Sequence, residues 1–153
     1  MTLLFAIEDP LVADVRALLN THLDFCHEVT PLEHSFALGV EQLKTPGITV
    51  FTAREDGNLF AVGALKVLEP NHGELKSMHT ALSARGKGIG RAMVNHILDF
   101  AKSEGMTRVS LETGSHPPYE PARILYEKSG FQYCPAFADY TLSEFNVCMT
   151  KIL

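Results

Sequence analysis

Apolar positions fall into short blocks whose period changes along the chain. Thr2 to Ile7 is a short apolar run that predicts a strand. Asp9-Pro10 follows, an N-capping side chain with a proline suited to the first helical position. Leu11, Val15, Leu18, Leu19 and Leu23 then recur at helical spacing and predict a helix to about Phe25. Residues 26–46 mix His27, Pro31, His34, Gly39 and Pro46 with polar positions, which predicts a loop with a short helix. Ile48 to Ala53 and Leu59 to Leu68 read as strands joined by a hairpin at Glu55-Asp56-Gly57-Asn58. A turn at Pro70-Asn71-His72-Gly73 leads to a third strand, Glu74 to Thr80. Next comes a helix opened by Gly86, Gly88 and Gly90, with Ile89, Met93, Ile97, Phe100 and Ala101 on one face. Gly105 ends it, with Lys102 in the last turn. Thr107 to Glu112 is a strand with Val109 and Leu111 on one face, and a helix near Pro121–Ser129 is closed by Gly130. Phe131 to Cys134 and Phe145 to Ile152 are the last strands. The order β-α-(α)-β-β-β-α-β-α-β-β predicts an α/β (α+β) fold, a mixed sheet of about seven strands flanked by helices. No repeat or linker interrupts it, so residues 1–153 read as a single domain.

Composition narrows the picture. With 46% apolar and 20% charged residues the chain reads as globular, and 153 residues bury roughly two-thirds of the unfolded surface. The net charge of −5 lies entirely in residues 1–50, which carry seven acids against Arg16 and Lys44. From Leu75 to Leu98 the chain holds Lys76, Arg85, Lys87 and Arg91 and no acid. That spot suits one small anion, whereas nucleic-acid binding wants a broad basic face, so no nucleic-acid partner is expected. No apolar run approaches the roughly 20 residues of a membrane span, so no membrane partner is expected. The opening MTLLFAIEDP lacks a basic segment, so no secretory signal is expected either. Cys26, Cys134 and Cys148 have no CxxC spacing and read as free, packing thiols of a cytoplasmic protein. The seven histidines never form HxxxH, so no metal site is expected.

Arg85-Gly86-Lys87-Gly88-Ile89-Gly90, between a strand and an amphipathic helix, is the most specific feature. Glycines let a backbone take positive φ and approach an anion, and a helix start offers unpaired N–H groups and a positive dipole end. The Walker A pattern is absent, and the spacing and position do not fit a dinucleotide-binding fingerprint. A pyrophosphate held in another fold remains, beside the plain reading of a connector without ligand.

The same residues, with Leu75 to Thr80 before them, resemble motif A of the GNAT superfamily of acetyl-CoA-dependent N-acyltransferases. Ala122-Arg123-Ile124-Leu125-Tyr126-Glu127-Lys128-Ser129-Gly130-Phe131 resembles that family's A…LYEKxGF segment. Ser110 to Gly114 and Pro135 to Tyr140 are similar to a bacterial YsnE-type subgroup. The resemblance covers essentially the whole chain. It implies a mostly antiparallel sheet with a splayed central strand pair and acetyl-CoA as cosubstrate. It also implies direct acetyl transfer to a primary amine of a small molecule or peptide. Members often form homodimers, and no feature of this sequence decides that point.

By the same resemblance, Arg85, Gly86, Lys87, Gly88, Ile89 and Gly90, with Arg91 alongside, hold the coenzyme pyrophosphate. Met78, His79 and Thr80 pair with pantetheine, chiefly through backbone groups. Tyr126 protonates the leaving thiolate, as a phenol with an ordinary pKa near 10 can at pH 7. Glu112 is the first candidate to take the amine's proton; Glu74, His79, His116 and water are its rivals. Helix 1 and the loop after it are expected to wall the acceptor side, putting the acidic N-terminal third, with His27, Glu28, Glu33 and His34, beside a cationic acceptor. The other reading is a coenzyme-A-binding regulatory or scaffold domain without turnover.

Overall fold

The computed structural model describes residues 2–153. Seven strands form one sheet: β1 (Leu4–Ile7), β2 (Ile48–Glu55), β3 (Asn58–Glu69), β4 (His72–Thr80), β5 (Arg108–Gly114), β6 (Gln132–Cys134) and β7 (Asn146–Ile152). Their order across the sheet is β1-β2-β3-β4-β5-β7-β6, and only β4 and β5 run parallel. Three helices accompany them: α1 (Ala13–Val29), α2 (Ile89–Ser103) and α3 (Glu120–Lys128). The element order is the one the periodicity predicts, and the sheet is mixed and mostly antiparallel.

The first helix departs from its predicted bounds at both ends. Asp9 accepts a hydrogen bond from the Leu11 N–H at 2.9 Å, which closes a separate turn before α1 instead of capping it. At the other end, helical geometry continues past Phe25 to Val29 and stops at Thr30, whose φ of −116° and ψ of 128° are the extended values that a following Pro31 imposes. Residues between α1 and β2 form two short 3-10 turns, Leu32–His34 and Gln42–Lys44. The β2–β3 hairpin is a two-residue turn with Asp56 at φ 50° and Gly57 at φ 79°, the positive pair that matches strand twist.

Both faces of β2 and β3 are covered. Phe51, Ala53, Ala61 and Leu65 pack with Met93, Val94 and Ile97 of α2, whereas Val50, Val62 and Ala64 pack with Val15 and Leu19 of α1. That double cover explains why these strands read as continuous apolar runs instead of alternating ones.

The sheet opens where β4 meets β5. Their pairing is limited to His72–Arg108, Gly73–Val109 and Glu74–Ser110. Beyond Glu74, the β5-facing edge of β4 has no strand partner among the described residues. On its other side β4 stays paired with β3, but the register shifts between Val62 and Ala64, and Ser77 sits at φ 55°. This is a β-bulge, which bends the strand and re-aims the residues after it. Gly63 makes room for it: a Cβ there would lie 2.4 Å from Met78 Sδ.

Candidate active site

Two cavities flank the opening. The larger, about 440 Å³, is lined by Met78, His79 and Thr80 of β4, by the loop from Ala84 to Arg91, and by Ala122 and Leu125 of α3. Gly86 and Gly88 both sit at φ +77°, and nothing lies within 4 Å of where a Cβ would stand on either. Gly88 is the N-cap of α2. The loop is thus an open left-handed backbone turn at the positive end of a helix, a geometry that suits an anionic phosphate group. Of the residues predicted for the cofactor, all line this cleft except Lys87, whose ammonium lies 5.8 Å from the Phe60 ring centre.

The smaller cavity, about 80 Å³, lies on the other side of the bulge. Cys26, Thr30 and His34 wall it from α1 and the loop after it, Lys76 and Ser77 from β4, and Glu112 from β5. His22, Met78, Thr113 and Tyr119 line both cavities, so these residues mark the junction.

Charge at this smaller, inner cavity is specific. Glu74 is buried, forms an ion pair with Lys76 at 3.0 Å, and accepts a hydrogen bond from the Tyr140 hydroxyl. Lys76 also donates to the Tyr140 oxygen at 2.7 Å. Glu112 has no ion-pair partner among the described residues. Burial holds its carboxyl above the ordinary carboxylate range, with Asn146 and Lys76 opposing. Glu74 is thereby tied to Lys76 and Tyr140, whereas Glu112 has no such ion pair among the described residues. His116 places its ring 5.0 Å from Phe145, and its buried Nε2 has no partner.

The N-terminal acids are placed differently from the expectation. Glu8 and Asp14 both clamp Arg54, Asp9 pairs with Lys44, and Glu41 with Arg16. Their charge is taken up by ion pairs within the fold, and the carboxylate that lines the inner cavity is Glu112 of β5. Of His27, Glu28, Glu33 and His34, the cavity wall includes His34.

Tyr126 is buried in the core, its ring 5.9 Å from Phe131, and burial raises its phenol above the ordinary value. It lines neither cavity as they stand. Sequence reasoning missed three neighbours. Tyr119 lines both cavities and bonds Thr30 Oγ1 at 3.2 Å. His22 Nδ1 lies 3.0 Å from His79 Nδ1, and Cys26 Sγ 3.6 Å from His22 Nε2. The i, i+4 spacing of His22 and Cys26 puts them on one helix face; nothing in the sequence says that β4 brings His79 there. Among the described residues, no group of three or more His, Cys, Asp or Glu could hold a metal ion, and no helix is long and apolar enough to cross a membrane.

Gly114 fixes Tyr119. A Cβ at Gly114 would stand 2.0 Å from the ring, and Arg123 donates to the Gly114 carbonyl at 2.7 Å and the His116 carbonyl at 3.1 Å. Gly114→Ala is therefore expected to push Tyr119 from the junction and to lower stability by about 1–3 kcal/mol, the usual effect of overpacking. Thermal unfolding reads the second effect, and loss of the Tyr119 contacts in a crystal structure the first.

Comparison with known proteins agrees with this geometry. The acetyltransferase (GNAT) family profile matches residues 14–131. An uncharacterized N-acetyltransferase of Bacillus subtilis, YsnE, is 46% identical over 147 residues, covering 96% of this chain and 97% of that protein. A Klebsiella pneumoniae structure, provisionally assigned as an acyl-CoA N-acyltransferase, superposes with a TM-score of 0.82 at 25% identity, covering 99% of this chain and 98% of that one. A Bacillus subtilis acetyltransferase in complex with CoA shares the fold at a TM-score of 0.71 and 19% identity, over 99% of both chains. The order of strands, the splayed β4–β5 pair and the glycine loop at the start of α2 are thus those of an acyltransferase, and the chain belongs to the GNAT family of acetyltransferases.

Proposed function

We propose that residues 1–153 work as one domain, in the cytoplasm, transferring the acetyl group of acetyl-CoA to a primary amine of a small molecule or peptide. The observation that carries this is the junction: an anion cradle and a cavity holding an unpaired carboxylate meet at four shared side chains. The glycine loop and Arg91 hold the pyrophosphate, and the unpaired edge of β4 from Met78 to Thr80 receives pantetheine as an added strand would. Bound there, acetyl-CoA supplies a thioester whose carbonyl an amine can attack.

The chain's own groups manage the protons. Glu112 Oε accepts the proton that an entering ammonium must lose, and its raised pKa brings it closer to working pH. With Glu74 and Lys76 cancelling each other, Glu112 gives the inner cavity a net negative charge that suits a cation. Tyr126 Oη holds the proton for the departing thiolate. One observation favours a second assignment for that proton: Tyr119 lines both cavities.

Incubation with acetyl-CoA and an amine panel, reading free thiol, is expected to find at least one amine that releases coenzyme A above background. If thiol stays at background for every amine while acetyl-CoA still raises the melting temperature, the chain is a binding domain. Tyr126→Phe is expected to lower kcat about 100-fold with little change in acetyl-CoA affinity. If Tyr126→Phe keeps full activity and Tyr119→Phe loses it, the acid is Tyr119.

A further inference from the structure

Amide formation removes two protons from a bound ammonium nitrogen and returns one to sulfur. Glu112 lines the inner cavity and, in the proposed function, accounts for the first; His22 lines both cavities, so it borders a path for the second.

The hydrogen bonds around His22 have a forced direction. Arg85 Nη2 lies 3.4 Å from His79 Nε2, and a guanidinium only donates, so His79 Nε2 is an acceptor without a hydrogen. Burial lowers His79 to about 4, with the Arg85 charge contributing, and lowers His22 to about 3, so both rings are neutral at pH 7. His79 therefore carries its hydrogen on Nδ1 and donates it to His22 Nδ1 at 3.0 Å. His22 must then carry its hydrogen on Nε2, facing Cys26 Sγ. Cys26, whose thiol burial keeps protonated, and Tyr119 are the other titratable groups at this end. In this resting polarity His22 offers a donor at the junction and no acceptor.

We propose that coenzyme binding draws Arg85 away from His79, reverses the polarity of the His79–His22 pair, and makes His22 Nε2 the acceptor of the second proton. This rests on the reading that the glycine loop holds the pyrophosphate. A diphosphate is a far better partner for a guanidinium than a neutral imidazole is. Once Arg85 leaves, solvent protonates His79 Nε2, His79 Nδ1 passes its hydrogen to His22 Nδ1, and His22 Nε2 releases one through the mouth of the inner cavity to solvent before the amine enters. His79 Nδ1 then accepts from His22 Nδ1. When the reacting nitrogen gives a proton to His22 Nε2, His22 Nδ1 passes its own to His79 Nδ1, and His79 Nε2 releases one to solvent. One proton crosses, and the pair is left in its resting polarity, ready for Arg85 to return with the coenzyme gone. A proton acceptor at the junction thus exists only while the coenzyme is bound.

Nitrogen-15 NMR of the imidazoles tests this on the intact protein with coenzyme A as the probe. Without coenzyme, His79 is expected as the Nδ1–H tautomer and His22 as the Nε2–H tautomer. At saturation both are expected to swap, together with shifts of the Gly86 and Gly88 amides. Shifted glycine amides with unchanged tautomers would overturn the switch and spare the cofactor reading; unshifted amides would overturn both. Arg85→Met supplies an arm free of coenzyme: His79 is expected to lose its preference for Nδ1–H, and an unchanged tautomer there also defeats the proposal.

Discussion

Gly88→Val is expected to raise the dissociation constant of coenzyme A about 1,000-fold while leaving a folded protein. Gly88 stands at φ +77°, where a residue with a Cβ strains the backbone by about 1–2 kcal/mol and a β-branched one sits worst. No atom lies within 4 Å of the position a Cβ would take, so strain and not collision is the expected effect on the fold. For a chain of this length that is a fall in melting temperature of a few degrees. The ligand meets more than strain, because side-chain atoms would fill the open side of the turn and the backbone would relax toward negative φ. Losing two N–H bonds to phosphate, each about 2 kcal/mol when the partner is charged, gives the 1,000-fold figure. Gly105→Val is the matched control. Gly105 sits at φ +89°, also with nothing within 4 Å, at the far end of α2. It should lose comparable stability and bind coenzyme normally. Calorimetric titration of both variants makes the comparison, and tight coenzyme binding by Gly88→Val would remove the pyrophosphate from this loop.

The parts of the molecule that were legible in the sequence are those built from local signals. The Asp56-Gly57 hairpin, the α2 stripe and the glycine loop each need only neighbours within a few residues, and all three stand where the periodicity put them. The start of α1 differs for an equally local reason: Asp9 can close a turn or cap a helix, and here its side chain and carbonyl take the Leu11 and Val12 N–H groups in a turn that ends before Ala13. The site itself is non-local. His22 and His79 are 57 positions apart, Thr30 and Tyr119 are 89 apart, and Glu74 and Tyr140 are 66 apart. No spacing rule connects such pairs. The bulge at Ser77 was equally hidden, since a non-glycine residue with positive φ leaves no compositional mark.

Charge illustrates the same division. The acidic N-terminal third invites a cationic acceptor, but four of its seven acids, Glu8, Asp9, Asp14 and Glu41, hold Arg54, Lys44 and Arg16. The proposed preference of the inner cavity for an amine rests on Glu112, with Glu74 neutralised by Lys76 at 3.0 Å. A composition count could not separate a carboxylate paired within the fold from one left unpaired in a cavity.

Glu112→Gln is expected to lower kcat about 1,000-fold at pH 7 and at the same time to raise the melting temperature. The two effects have one cause. Burial holds the carboxyl of Glu112 above the ordinary range, so the folded protein binds that proton more tightly than the unfolded chain does. Above the folded pKa the ionised side chain opposes folding; as pH falls through the folded pKa toward the unfolded one, that penalty disappears. Glutamine keeps the carbonyl that Asn146 can bond and never carries the charge, so the variant should gain stability at neutral pH and approach wild type in acid. It cannot accept a proton. Wild-type kcat/KM should therefore fall as pH drops through the raised pKa of Glu112, and the variant's low rate should lack that limb. A merely structural Glu112 would give the opposite pairing, stability lost and the pH profile kept. If Glu112→Gln retains full activity with the acid limb intact, the ammonium proton leaves by another route.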